Sequence, residues 1–227
     1  MPIATFINAA AVLVGGTAGL LFQGRIPARI SENIIRAIGL CVCVIGVSRA
    51  IAGDTMLLVA SLALGTFTGE LLNLEDGLNR LGRWLQNKLC RDDKSTFAEG
   101  FVTATLLFCV GAMTIVGSIE SGLNDNRSVI LTKSILDGVT SIILASTLGY
   151  GVLFSAAVIL LYQGSLEFFA GYLQNVLTEA LITQISAVGS VMILGIGLNM
   201  TLQTGLRVAN FLPGLVFAVG YYYLFLV

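Results

Sequence analysis

Long apolar stretches divided by short polar ones organise this chain. Runs almost free of charge fall at residues 3–22, 34–52, 55–72, 99–119, 129–148, 151–165, 179–200 and 207–226. A helix needs about 20 apolar residues to cross ~30 Å of hydrocarbon, and each run is near that length. The pattern predicts about eight spans, numbered here in chain order. The sixth is the shortest, and Leu148-Gly149-Tyr150-Gly151 before it is a weak break. Residues 129–165 therefore read as two short spans or as one broken long one, and two are favoured. The predicted fold is all-α, a polytopic transmembrane helical bundle forming a single integral membrane domain over residues 1–227.

Between spans 3 and 4 the pattern changes. Leu74, Leu78, Leu81, Leu85 and Leu89 recur at helical spacing opposite Arg80, Arg83 and Lys88, with the single tryptophan, Trp84, among them. Residues 74–94 thus predict a cytoplasmic amphipathic helix or loop lying on the inner leaflet. A short helix packed on its own protein is the competing reading. Residues 166–178, with Phe168, Phe169 and Tyr172, predict a second interfacial helix on the opposite face.

Composition agrees. The 227 residues are 56% hydrophobic and only 11% charged, whereas a soluble domain carries about 25% charged residues to wet its surface. The lipid bilayer is the expected partner. Twelve basic residues against thirteen acidic ones leave no basic footprint for nucleic acid. The first run is too long for a cleaved h-region and no basic residue precedes it, so it is read as a retained span. Arg25 and Arg29 follow it, and Arg80, Arg83, Lys88, Arg91 and Lys94 follow span 3; counted as cytoplasmic, they place the start of span 1 outside.

The chain has no histidine, and Cys41, Cys43, Cys90 and Cys109 show no CxxC spacing. The usual zinc and haem arrangements and every Ser-His-Asp or Cys-His scheme are thereby disfavoured. No metal, no cofactor and no enzymatic activity are expected.

A weak internal match appears on sliding the chain by 149 positions: Ile45-Gly46-Val47 falls on Leu194-Gly195-Ile196, and Gly65 on Gly214. With a shift of three, Ala10-Ala11-Val12 falls on Ala156-Ala157-Val158. Spans 1–3 thus resemble spans 6–8. With eight spans the copies run oppositely, in a 3+2+3 arrangement with an inverted repeat, a recurrent plan of secondary transporters. Gly15-Gly16-Thr17-Ala18-Gly19 and Gly65-Thr66-Phe67-Thr68-Gly69 each hold glycines four apart, which let a neighbouring backbone come close. Thr17, Thr66 and Thr68 offer interhelical hydrogen bonds. Such faces serve packing within one chain or a homodimer equally well.

Charges inside spans are stronger signals, since an ionised side chain at mid-bilayer costs ~2.5–3.5 kcal/mol even on the lenient scale. Asp137 lies about two turns into span 5, and Lys133, four residues earlier, shares its face and can pair with it. The pair is either a structural buried ion pair or a cation or proton site whose internal charge, Lys133, is displaced on binding. Asn8, Gln163, Asn199 and Asn210 are neutral groups that need buried partners, and the first three join Lys133 and Asp137 as candidate solute- or ion-binding residues. Glu120 and Arg49, with Asp54, are placed at an outer mouth. Glu70 ends span 3 on the inner side. Asn210-Phe211-Leu212-Pro213-Gly214 puts a proline early in span 8, freeing a carbonyl.

Leu107-Phe108-Cys109-Val110-Gly111-Ala112-Met113-Thr114-Ile115-Val116-Gly117-Ser118-Ile119, Lys133-Ser134-x-Leu136-Asp137-Gly138, Tyr162-Gln163-Gly164 and Ile196-Gly197-Leu198-Asn199 together carry a resemblance. The opening Phe6-Ile7-Asn8 and the closing Asn210-x-Leu212-Pro213 extend it over essentially the whole chain. The sequence resembles the domain-of-unknown-function 554 family of YqgA-like prokaryotic membrane proteins. That resemblance implies a multi-pass protein of the bacterial inner membrane, and it transfers no substrate or catalytic residue. The expected function is transport of a small solute or ion at a site near the middle of span 5. The alternative is a non-transporting membrane scaffold whose Lys-Asp pair is structural.

Overall fold

The structure, a computed structural model, describes residues 3–23, 28–89, 96–109, 112–173 and 176–226. Arg25, Cys90, Arg91 and Lys94 lie outside them, as do the side chains of Leu85, Lys88 and Leu89. The elements are α1 (Ile3–Leu20), α2 (Ala28–Ala50), α3 (Thr55–Leu72), α4 (Leu74–Leu89), α5 (Phe97–Cys109), α6 (Ala112–Asn124), α7 (Ser128–Leu148), α8 (Gly151–Phe168), α9 (Ala170–Leu173), α10 (Glu179–Leu202), a 3-10 turn (Val208–Phe211) and α11 (Pro213–Phe225). No strand occurs among the described residues. Among the described residues, seven helical stretches are long and apolar enough to cross a bilayer singly, and the α5–α6 pair makes an eighth when taken together.

Two compact units emerge. The first contains Met1–Glu32 and Asn79–Leu177, the second Asn33–Leu78 and Thr178–Val227.

In the first unit α1, α7 and α8 pack through stripes of small and polar residues. Thr5, Asn8, Val12, Gly15, Gly16 and Gly19 are buried along α1 at three- and four-residue steps, while Phe6 and Val14 on the opposite side are exposed, as lipid-facing positions are. A Cβ on Gly15 would stand 2.1 Å from the Gly138 carbonyl oxygen, so the α1 and α7 backbones touch there. Lipid tails are as apolar as leucine, so close van der Waals contact replaces a hydrophobic drive between such helices. Residues 129–165 are two helices, as favoured from the sequence. Gly149, with φ 77°, turns the chain between them.

Span 4 departs from the predicted single helix. Its halves, α5 and α6, are inclined at 58°. The first half starts beside the α7–α8 turn, where the Phe97 ring packs 5.3 Å from that of Phe154. The second ends at the other end of the hairpin, where Ser121 donates to Glu167. Together they run the length of α7–α8 and so make one crossing rather than a re-entrant loop. The Thr114 hydroxyl donates to the Phe108 carbonyl at 3.2 Å, supplying a partner to backbone left open by the bend. Span 6 also differs. Its helix continues past residue 165 to Phe168, and a single turn, α9, follows where an interfacial helix was predicted.

In the second unit α2 runs against α10 and α3 against α11. Gly39 lies beside Gly197 and Thr201, Gly46 beside Ser190 and Leu194, and Gly53 beside Ala187. Rising numbers on α2 meet falling ones on α10, so the two are antiparallel. Gly69 meets Asn210 and Gly65 meets Gly214, giving α3 and α11 the same relation. The glycine-rich stretches are thus occupied by this chain's own helices. Thr17, Thr66 and Thr68 bond carbonyls of their own helices instead of neighbours, at 2.7, 2.6 and 2.9 Å.

The amphipathic α4 is anchored at its start. Asn210 Oδ1 accepts the Glu75 N–H at 2.7 Å, and Glu75 Oε2 accepts the Ala209 N–H at 2.9 Å. Arg207 adds ion pairs with Glu70 at 3.1 Å and Asp76 at 2.6 Å. Farther along α4, Leu81 and Trp84 are exposed, as an interfacial helix requires. Asn210→Ala is expected to cost about 1 kcal/mol, the usual value of a lost cap, and to speed amide exchange over residues 74–78 in mass spectrometry. Unchanged exchange there would rule out the anchoring role.

Candidate functional site

Polar groups concentrate in the first unit. Asp137 sits at the centre of the 21-residue α7, about 14 Å from its start at 1.5 Å per residue. The i,i+4 geometry brings Lys133 Nζ onto Asp137 Oδ2 in a buried ion pair, which stands as expected from the spacing. The ammonium also lies 6.0 Å from the centre of the Phe108 ring, within the range where a π face attracts a cation.

From α1, Asn8 Nδ2 donates to Asp137 Oδ2 at 3.1 Å and to Gln163 Oε1 at 2.9 Å. Asp137 determines which way this amide faces, because the reverse placement would set an oxygen against a carboxylate. Asn8 Oδ1 and Gln163 Nε2 are then left without hydrogen-bond partners among the described residues. Both residues are essentially inaccessible, at 0% and 1% exposure. A buried unpaired polar atom costs about 1–3 kcal/mol, so two on adjacent amides form a local reservoir of unspent hydrogen-bonding capacity.

One turn farther along α8, on the same face as Gln163, lies Glu167, 6% exposed. Its carboxylate accepts from the Thr5 hydroxyl at 2.7 Å, the Thr5 N–H at 3.4 Å and the Ser121 hydroxyl at 2.6 Å. No cationic group pairs with it among the described residues. Thr5 precedes Asn8 by three on α1, so the Thr5–Glu167–Ser121 layer stacks directly on the Asn8–Gln163–Asp137 layer. Lys133, Asp137 and Glu167 together place one positive and two negative side chains in the interior.

Four of these residues, Asp137, Lys133, Asn8 and Gln163, are expected from the sequence. Glu167, Thr5 and Ser121 are not. The signal available for Glu167 is its four-residue spacing from Gln163, hidden by ending span 6 at residue 165.

Asn199, grouped with the others from sequence, belongs to the second unit. Its Nδ2 donates to the Leu206 carbonyl at 2.7 Å, and its Oδ1 accepts from Leu206 N–H and Thr204 Oγ1 at 2.9 and 2.6 Å. This side chain closes the turn after α10. Arg49 and Asp54 also lie in the second unit. Arg49 is exposed, and Asp54 caps α3 by accepting the Leu57 N–H at 2.9 Å. Glu120, in the first unit, accepts from Asn126 Nδ2 at 3.2 Å. Its neighbour Ser121, rather than Glu120 itself, reaches the buried layer. No group of three or more metal-ligating side chains occurs among the described residues.

The family model described as "Protein of unknown function (DUF554)" matches residues 3–223. The chain is 33% identical to the uncharacterized membrane protein YdfK of Bacillus subtilis, covering 93% of this chain and 91% of that protein. It is 31% identical to the uncharacterized protein YqgA of Escherichia coli, over 96% and 95% respectively. No solved structure matches. An uninterrupted family match over almost every helix, joined to two full-length relatives, makes this chain a member of the domain-of-unknown-function 554 family.

Proposed function

We propose that this membrane protein moves a small solute or ion, and that Lys133, Asp137, Asn8 and Gln163 line its site in the inner membrane. One observation carries the reading: a buried ion pair at the centre of α7 is wired to two amides that each keep an unpaired polar atom. Ionisable groups inside a membrane bundle are costly and recur along ion and solute pathways, which makes them functional-site candidates. The antiparallel pairing of α2–α3 with α10–α11 supports the inverted-repeat plan, for the aligned glycines Gly65 and Gly214 are the ones in contact. In transporters of that plan one repeat moves against the other.

The test is uptake into proteoliposomes, screened over amino acids and inorganic cations, with wild type beside Asp137→Asn. The expected result is a solute moved by the wild type and slowed ten-fold or more by the substitution. Equal rates in two well-folded proteins would remove Asp137 from the site.

A scaffold role is favoured by a different fact. Both buried carboxylates already have internal donors, so a static network suffices to hold α1, α7 and α8 together. On that reading a protein with Lys133 and Asp137 both made apolar keeps its fold and its cellular phenotype.

A further inference from the structure

We infer that the ligand of this site is a small dipolar ion, one ammonium and one carboxylate in a single molecule, and that Glu167 helps hold its ammonium end. The inference rests on the transport reading for its location and adds the substrate class and a residue.

The two stacked layers offer groups for both signs of charge. Toward an anionic group they present the Lys133 ammonium and the unpaired Gln163 Nε2 donor. Toward a cationic group they present the Asp137 and Glu167 carboxylates and the unpaired Asn8 Oδ1 acceptor. All five groups belong to residues no more than 8% exposed, and they come from three helices of one unit. A bare cation engages only the second set and leaves the Gln163 donor orphaned. A bare anion engages only the first.

The ion pair sharpens the choice. Opening the Lys133–Asp137 bond with a singly charged ligand strands one buried charge, which is the costly way to break such a pair. A ligand bearing both charges exchanges one ion pair for two, so neither side chain is left alone. Asn8 Oδ1 adds a further condition: the cationic end must carry N–H groups, because this oxygen accepts and cannot donate. Glu167 lies one turn from Gln163 and has only neutral donors, Thr5 and Ser121. An ammonium bridging the two layers gives it the counter-charge that no described residue supplies.

The experiment measures thermal stabilisation of the purified protein in detergent, at matched ionic strength and neutral pH. The probes are glycine, L-alanine, N,N,N-trimethylglycine, ethylamine, propionate and sodium chloride. Glycine or L-alanine is expected to raise the melting temperature in a saturable way, while the other four leave it unchanged. Glu167→Gln, which keeps size and polarity, is expected to weaken the apparent affinity ten-fold or more. Stabilisation by ethylamine, sodium or propionate equal to that by glycine overturns the inference, and so does stabilisation by none of the six. Equal affinity in Glu167→Gln removes that residue from the site. Flux of a solute that is not dipolar sinks the substrate class and leaves transport standing. Saturable stabilisation by glycine without any flux does the reverse.

Discussion

Asp137→Leu is expected to cost about 3–5 kcal/mol of stability, the usual penalty for removing one partner of a buried ion pair. Lys133 would be left buried beside Phe108 with no counter-charge on its own helix, and Asn8 would lose one of its two acceptors. The double variant Lys133→Leu/Asp137→Leu is expected to recover most of that loss. Well-packed apolar replacements of buried pairs are commonly neutral or stabilising, and Asn8 keeps its bond to Gln163. Unfolding in mixed micelles gives both numbers. A double variant as unstable as the single one would show that shape, rather than unpaired charge, sets the penalty. The same pair separates the functional readings, since a transporter loses flux in both proteins whereas a scaffold loses only what instability removes.

The second large effect is steric. A Cβ on Gly69 would lie 1.9 Å from the Asn210 carbonyl oxygen and 2.6 Å from its carbon. Both obstructing atoms are backbone, so no rotamer change relieves the clash and α3 must move away from the 3-10 turn that precedes α11. Gly69→Ala is expected to cost about 3 kcal/mol, the upper part of the range for overpacking, and to reduce the monodisperse fraction in size-exclusion chromatography. Gly220→Ala, on α11 with no atom within 4 Å of the added carbon, is the matched control. It should be neutral or gain up to about 1 kcal/mol from helix propensity. Equal behaviour of the two variants would contradict the backbone contact.

Particular residues show what was legible beforehand. Lys133 and Asp137 were, because two charges four apart on an apolar helix have few ways to exist other than as a pair. Asn8 and Gln163 were, because polar amides in apolar runs need partners. Their mutual bond was not: it joins positions 155 residues apart and depends on α1 packing against α8. Glu167 was hidden by the phenylalanines after it, which made residues 166–178 resemble an interfacial helix rather than the last turn of α8. The bend between α5 and α6 left no mark, for Leu107 to Ile119 is as apolar as the straight helices. Asn199 misled in the opposite way. In composition it is another asparagine at the end of a span, and only the turn it closes distinguishes it from Asn8.

The Asn8–Asp137 bond also has a consequence for biosynthesis. Its donor precedes its acceptor by 129 residues. At translation rates of 5–20 residues per second, α1 waits roughly 6–26 s for α7 to emerge. Throughout that interval the Asn8 amide sits in a half-built bundle, sheltered only by what the insertion machinery supplies. The first helix of this chain therefore cannot complete its polar contacts until the helix carrying Asp137 has been made.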